Sequence, residues 1–127
     1  MRIIKFKAKT LKTGEWAVGD LVCSNGKFFI KHEDEPNKVF PLCTKVDTDT
    51  VCEFTGLLDK NGKEIYEGDI VRFALTDGFN YVTNEDGVVT YKLGAFYVVN
   101  GLAEYLISDT NTNKVEVIGN IHDNPKL

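Results

Sequence analysis

The chain has 127 residues, 43% of them apolar and 27% charged, and a net charge of −4. That is one domain's worth of chain, or two very small units sharing a core, with apolar material enough to bury roughly two thirds of its unfolded surface. The balance excludes a disordered tail, a membrane-embedded protein and a protein that acts by bulk positive charge on nucleic acid.

Period-two alternation opens the chain. Ile4, Phe6 and Ala8 fall on one face, Lys5, Lys7 and Lys9 on the other, which predicts a half-buried strand. The same lysines interrupt the apolar run that a signal peptide requires, and no later stretch approaches the ~20 apolar residues of a membrane helix. A cytoplasmic protein is expected. Thr13-Gly14 breaks the pattern, and residues 16–18 resume it. Two apolar runs around Asn25-Gly26 then predict a tight hairpin, with Cys23 opposite Phe28 and Val22 opposite Phe29.

Residues 32–38, HEDEPNK, read as an acidic loop. A short strand within 39–46 is limited by Pro41, and Asp47-Thr-Asp-Thr50 can open one helical turn by capping backbone N–H groups. No longer helix is expected. Asp59-Lys-Asn61-Gly62 is a turn into a strand at 63–66, and Glu67-Gly68 a turn into a strand at 69–74. Residues 75–86 read as a long polar loop. Strands follow at 87–92 and 95–99, a segment ambiguous between strand and helical turn at 102–107, and a last strand at 114–118. Short strands with one long loop after the first fit a small SH3-like barrel, in which closure hides the edges. Gly19-Asp20-Leu21-Val22 echoes Gly68-Asp69-Ile70-Val71, either as a relic of duplication or, the preferred reading, as one turn-into-strand device used twice.

Three cysteines, Cys23, Cys43 and Cys52, are an odd number without a CxxC pair. They argue against a disulfide framework or a zinc ribbon and are expected to pack as buried thiols. Trp16 and Phe73 are expected in the core.

Residues 53–73, EFTGLLDKNGKEIYEGDIVRF, resemble the signature of the YopX family of bacteriophage and prophage proteins. The opening residues 2–16 with Gly19-Asp20 are similar to that family's first strand and its W-x-x-G-D element. Residues 115–127, VEVIGNIHDNPKL, are similar to its closing strand and tail. The likeness covers nearly the whole chain and fails mainly in the acidic insert 32–45 and the loop 75–86. It implies a mostly β fold, a mobile-element origin and no established enzymatic activity. The motif residues it marks are Trp16, Gly19, Asp20, Thr55, Gly56, Asp59, Gly62, Tyr66, Gly68, Asp69, Gly119 and Asn120, all read as structural. Gly56, Gly62, Gly68 and Gly119 would serve turns, and Asp59 and Asp69 would bond nearby amides.

Chemistry-bearing patterns are sparse. A calcium loop starting at Asp59 would need Gly at its sixth position and Glu at its twelfth, where Glu64 and Ile70 stand. The run His32-Glu33-Asp34-Glu35 is consecutive and cannot converge on a metal without a sharp bend. Ser24 and Ser108 have no nucleophile elbow, Cys43 and Cys52 no placed His, and no phosphate-binding glycine loop exists. No catalytic residue, cofactor site or metal site is therefore expected. Charge is segregated, with five basic groups and no acid in residues 1–12 against ten acids and four bases in 32–69. Lys5, Lys7 and Lys9 form a stripe about 13 Å long at ~3.3 Å per residue, with Arg2 just before it. Three readings are open. The stripe can protect a sheet edge, contact protein, or track phosphates with Tyr91, Phe96 or Tyr97 as stacking platforms.

The expectation is an all-β protein, with an N-terminal β-hairpin subdomain (1–55) packed on a C-terminal small SH3-like barrel (56–127), or one continuous domain. Its expected role is a non-catalytic interaction module that self-associates or meets a phage or host protein. Nucleic-acid binding in phage replication or regulation is the alternative, and no membrane partner is expected.

Overall fold

The structure, a computed structural model, describes residues 2–32, 43–76, 82–101, 103–108 and 112–123. Strands take up 66% of it. In chain order they are β1 (Phe6–Lys9), β2 (Trp16–Ser24), β3 (Lys27–His32), β4 (Cys43–Lys45), β5 (Cys52–Leu58), β6 (Glu64–Tyr66), β7 (Asp69–Thr76), β8 (Val82–Lys92), β9 (Ala95–Asn100), β10 (Ala103–Leu106) and β11 (Val115–Asn120). Among the described residues the helical pieces are two single 3-10 turns, Thr48–Thr50 and Thr112–Lys114. The all-β expectation holds. None of these helices is long and apolar enough to cross a membrane. The chain divides into two compact units, Met1–Phe54 and Thr55–Leu127.

In the first unit the strands lie in the order β4-β3-β2-β1-β5. The hairpin forms as its dipeptide demands. Asn25 and Gly26 take φ values of 51° and 73°, and Cys23 faces Phe28 and Val22 faces Phe29. β2 does not break at Gly19-Asp20. Gly19 lies inside the strand, where a Cβ would stand 1.9 Å from the Lys31 carbonyl oxygen. The two Gly-Asp elements are thus different devices, close strand approach at Gly19 and a turn at Gly68. The core gathers Ala8, Ala17, Ile30 and Val46, with Phe6, Leu21, Phe28 and Val51 packed against it. The connection after β4 closes over this side. Val46 N–H donates to the Phe28 carbonyl and Asp47 N–H to the Lys9 carbonyl. The Asp47 side chain caps the 3-10 turn by accepting from Asp49 N–H, as expected.

β5 begins in this unit, where Cys52 and Glu53 pair with β1, and continues into the second, where it neighbours β6. Strands β7 to β11 take the order β10-β9-β8-β7-β11, the succession of a small barrel. The barrel expectation itself is corrected, because this sheet is open. Closure would bring β11 to β10, but the outer side of β11 is occupied by the turn after β5. Lys60 N–H donates to the Val115 carbonyl, and Val117 N–H to the Asp59 carboxylate. The long polar loop expected at 75–86 is corrected at 75–76 and 82–86, which are strand, while 77–81 lie outside the described residues. β7 and β8 form one arm paired from Ile70↔Val88 to Thr76↔Val82. Its polar residues mark a solvated ladder, on which Arg72 and Asp86 sit directly opposite each other. Of the ambiguous segment, Ala103–Leu106 form strand β10 with Ile107 buried beyond it, and residue 102 lies outside the described residues. The core is Ile65, Val71, Phe73, Val89, Val98, Ile107, Val115 and Val117, with Leu57 and Phe96 against it.

Phe73 is buried as expected, at 5% exposure, whereas Trp16 is only half-buried. Its ring faces away from the core side of β2, because Ala17 takes the inward position. Cys52 is buried, but Cys23 and Cys43 are exposed, so the expectation of three buried thiols fails for two of them. The acidic run 33–38 and the strand positions 39–42 lie outside the described residues.

Candidate functional site

The signature motif builds a clamp. Asp59 is buried with both carboxylate oxygens engaged. Oδ1 accepts from Asn61 N–H at 2.8 Å and Lys63 N–H at 2.9 Å, and Oδ2 accepts from Val117 N–H at 2.9 Å. Burial by itself pushes this carboxyl up. The amides of Val117, Lys63 and Asn61, helped by the Lys63 ammonium, outweigh it and hold the group below its ordinary 3.8. A carboxylate facing three N–H dipoles is a poor cation ligand, and the geometry of a turn replaces that of a calcium loop. Asp69, 1% exposed, accepts from Tyr66 N–H at 2.8 Å through Oδ2 and from Asn120 Nδ2 at 3.0 Å through Oδ1. Asn120 Oδ1 in turn accepts from His122 N–H. Thr55 Oγ1 donates to the Ile65 carbonyl, and the Tyr66 hydroxyl donates to Glu64. Gly62 and Gly68 sit in turns, as expected. Gly56 instead lies inside β5 with φ 85°, and Gly119 stands at the register shift of the β11–β7 ladder.

The nucleophile candidates are dispersed. Ser24 ends β2, while Cys43 and Cys52 lie on β4 and β5, with three strands between them in the sheet order. Cys52 Sγ donates to the Thr50 carbonyl, and Ser108 follows β10 in the second unit. His32 Nε2 lies 2.7 Å from Thr44 Oγ1; Glu33, Asp34 and Glu35 are outside the described residues. A cleft of about 390 Å³ in the second unit is lined by Lys60, Arg72, Ala74, Asn84, Lys114 and Glu116. Its charges are largely paired internally. Lys60 meets Glu116 at 3.4 Å, and Arg72 meets Asp86 at 2.9 Å, which raises the guanidinium pKa through that hydrogen bond.

The arrangement with functional reach is a face of the first sheet. Directly opposed residues in antiparallel strands share a face. Lys7 opposes Val18 and Lys9 opposes Trp16. Asp20 opposes Lys31, Val22 opposes Phe29, and Ser24 opposes Lys27. Phe29 opposes Lys45, and Lys31 opposes Cys43. Lys5 joins them by alternation along β1. The core residues Ala8, Ala17 and Ile30 take the other face. One face thus carries Lys5, Lys7, Lys9, Lys27, Lys31 and Lys45 against the single carboxylate Asp20, counting strand positions among the described residues. The β1 lysines lie over aromatic rings. Lys5 Nζ is 5.0 Å from the Phe54 ring centroid, and Lys7 and Lys9 Nζ are 4.7 and 5.4 Å from that of Trp16. Trp16 is a platform for ammonium groups.

β1 is interior, flanked by β2 and β5, so the edge-protection reading of its lysines is overturned. The structure brings Lys5, Lys7 and Lys9 together as expected and adds Lys27, Lys31 and Lys45, which sequence reasoning missed. The predicted hairpin register already placed Lys27 and Lys31 on the parity of Phe29. Lys45 needed the β3–β4 pairing. Arg2 is exposed ahead of β1. Tyr91, Phe96 and Tyr97 belong to the second unit, with Tyr91 half exposed and edge-on to Phe96.

The sequence matches the YopX protein family over residues 5–127. No curated protein matches it. Among solved structures it is similar to the crystal structure of protein EF1440 from Enterococcus faecalis, at 23% identity, a TM-score of 0.61, and coverage of 99% of this chain and 98% of that one. That likeness is one of fold.

Proposed function

The chain belongs to the YopX family, and from that premise we propose that it is a non-catalytic accessory protein of a bacteriophage or prophage, acting in the host cytoplasm as a binding module. Its working surface is the lysine-bearing face of the first unit, and its partner is an anionic macromolecule. One observation supports this above the rest: Lys27, Lys31 and Lys45 are exposed together on one sheet face in a protein whose net charge is −4.

Charge segregation also supports a second reading, self-association, in which the cationic face of one copy meets the acidic remainder of another. Retention on a sulfated polysaccharide matrix tests the first reading. Changing Lys27, Lys31 and Lys45 to Gln should lower the eluting salt concentration, and unchanged elution would count against the face. Sedimentation at low and high salt tests the second. A monomer at both would remove it.

A further inference from the structure

We propose that the second unit carries a site for one guanidinium group, the side chain of an arginine on a partner polypeptide. The site starts from a charge in an unexpected place. On β8, Glu85 directly opposes Phe73, a core residue of β7 that is 5% exposed, and directly opposed residues share a face. Val89, four residues along β8 and so of the same parity, is also core. Glu85 therefore stands on the inward face of the sheet, where alternation reserves the place for an apolar residue. Inward charges can blunt a sheet edge, but β8 lies between β7 and β9 and has no edge to protect.

Around Glu85 is a cavity of about 220 Å³, lined by Phe73, Glu85, Asn100, Ala103 and Tyr105. At ~30 Å³ of liquid per water it has room for a guanidinium head and the stem carbon next to it. The register brings all five residues to one face. Val89 opposes Val98, Val98 opposes Tyr105, and Asn100 opposes Ala103. The Phe73 and Tyr105 rings meet with centroids 5.1 Å apart and an interplanar angle of 54°. Phe73 is buried, and Tyr105, 37% exposed, is the ring a ligand can reach. Asn100 is held by its Nδ2, which donates to the Asp86 carbonyl at 2.9 Å, and keeps Oδ1 as an acceptor. Among the described residues no hydrogen bond or ion pair engages the Glu85 carboxylate, Asn100 Oδ1 or the Tyr105 hydroxyl.

These groups define the ligand. An open carboxylate and an amide oxygen call for a donor-rich cation, and no basic side chain lines the cavity to neutralise Glu85. A metal ion fits poorly, because calcium takes six to eight oxygen ligands and this cavity offers one carboxylate among rings and a methyl group. A guanidinium uses both halves of the site. It is planar, forks onto a carboxylate with two parallel N–H bonds, and stacks on an aromatic ring. An ammonium is a compact, strongly hydrated point charge without the plane or the fork. The lining also decides between an arginine in a chain and the free amino acid. Free arginine brings an α-carboxylate, for which the cavity has no cation and which Glu85 repels. Within a polypeptide that charge is gone.

The test is an NMR titration of the ¹⁵N-labelled full chain with the tripeptide acetyl-Gly-Arg-Gly-amide, its citrulline and lysine counterparts, and free arginine. Citrulline keeps the shape of arginine and loses the charge. The arginine peptide should shift the amides of Phe73, Glu85, Asn100 and Tyr105, with a Kd on the order of 1–10 mM for a single side-chain anchor. Glu85→Gln should weaken binding roughly tenfold or more, as the loss of a charge-assisted pair, and Tyr105→Leu about 2–5-fold, as the loss of a ring contact. Ala103→Leu, at an exposed position, should block the cavity and abolish binding with the carboxylate still in place. Thermal melts show that each variant folds, and the exposed Glu85→Gln carries the test should Tyr105→Leu fail to fold. A citrulline peptide bound as tightly as the arginine peptide would overturn the cation site. A lysine peptide bound as tightly would overturn the guanidinium assignment, and free arginine bound more tightly than the peptide would overturn the polypeptide source. No shift at these four residues with any ligand would overturn the site itself.

Discussion

Replacing Asp59 with Ala removes the group that joins the motif turn to the last strand. One carboxylate holds three backbone amides at 2.8 to 2.9 Å. The Asn61 and Lys63 amides are partly buried and can turn to water. The bond to Val117 N–H is buried, and an orphaned buried donor costs about 1–3 kcal/mol. Hydrogen bonds to a charged group contribute about 1.5–3 kcal/mol each, but three that share one acceptor are not additive. The expected loss for Asp59→Ala at neutral pH is therefore about 3–4 kcal/mol, a large part of the ~5–15 kcal/mol that such a domain has. Asp59→Asn keeps an oxygen for the two turn amides and sets an NH₂ against Val117 N–H, so it should lose about 2 kcal/mol.

The pH dependence gives a second, independent check. The folded-state pKa of Asp59 is depressed below 3.8. The folded form therefore binds fewer protons than the unfolded chain in that range. Its stabilisation is complete above about 3.8 and is lost as pH falls through the depressed value. Urea titrations of the wild type and Asp59→Ala at pH 7 and at descending acid pH measure the gap between them. It should be full at pH 7 and narrow as pH falls into the acid range. A gap under 1 kcal/mol at pH 7, or one that stays constant down to pH 2, would refute the assignment.

Other outcomes follow from the same structure. Gly19→Ala should cost at least ~2 kcal/mol, because its Cβ would meet the Lys31 carbonyl oxygen at 1.9 Å and backbone cannot yield as a side chain does; a neutral result in a urea titration would remove the close approach. Phe73→Ala should cost ~3–5 kcal/mol as a core truncation. Trp16→Ala should cost markedly less, about 1–2 kcal/mol, its ring being half-buried under two ammonium groups. Equal losses for the two aromatics would contradict their different placement. Asn120→Ala should cost about 1–2 kcal/mol by leaving Asp69 Oδ1 and His122 N–H without their partner in Asn120, measured by the same titration.

Local signals in the sequence were dependable where one dipeptide or one alternation decides the outcome. Asn25-Gly26 specified a turn with two positive φ values, and the register of Val22 and Phe29 followed from it. Asp47 named its own capping role. What was not legible depended on distant pairing. Whether β1 is an edge depends on Cys52 and Glu53, far along the chain. Polar residues 83–86 look like loop in sequence because both a loop and a solvated hairpin arm select polar side chains; the ladder with β7 distinguishes them. Gly19 reads as a turn glycine, and its reason, the Lys31 carbonyl against its Cα, exists only once β2 and β3 pair. Trp16 was misplaced because size favours burial on average, while parity along β2 gave the inward place to Ala17.

The division of labour within the motif bears on where function can lie. A general acid or base must exchange its proton with a substrate, which requires access and an oxygen left over. Asp59 and Asp69 are 7% and 1% exposed, and both oxygens of each accept N–H groups of the chain itself. Their chemistry is consumed in joining the turns at 59–63 and 66–69 to β11. Moving a proton onto either would break contacts that hold the second sheet. The family signature thus specifies a scaffold, and sharing it says little about an activity. The lysines at 27, 31 and 45 stand outside that signature. They meet Lys5, Lys7 and Lys9 through a hairpin register that fixes which face they take. A one-residue slip there would turn Lys27 and Lys31 to the core side and Ile30 outward. Burial of Ile30 at 0% exposure therefore sets the cationic face as firmly as it sets the core, and an Ile30 substitution that loosens the β2–β3 register should weaken anion binding together with stability.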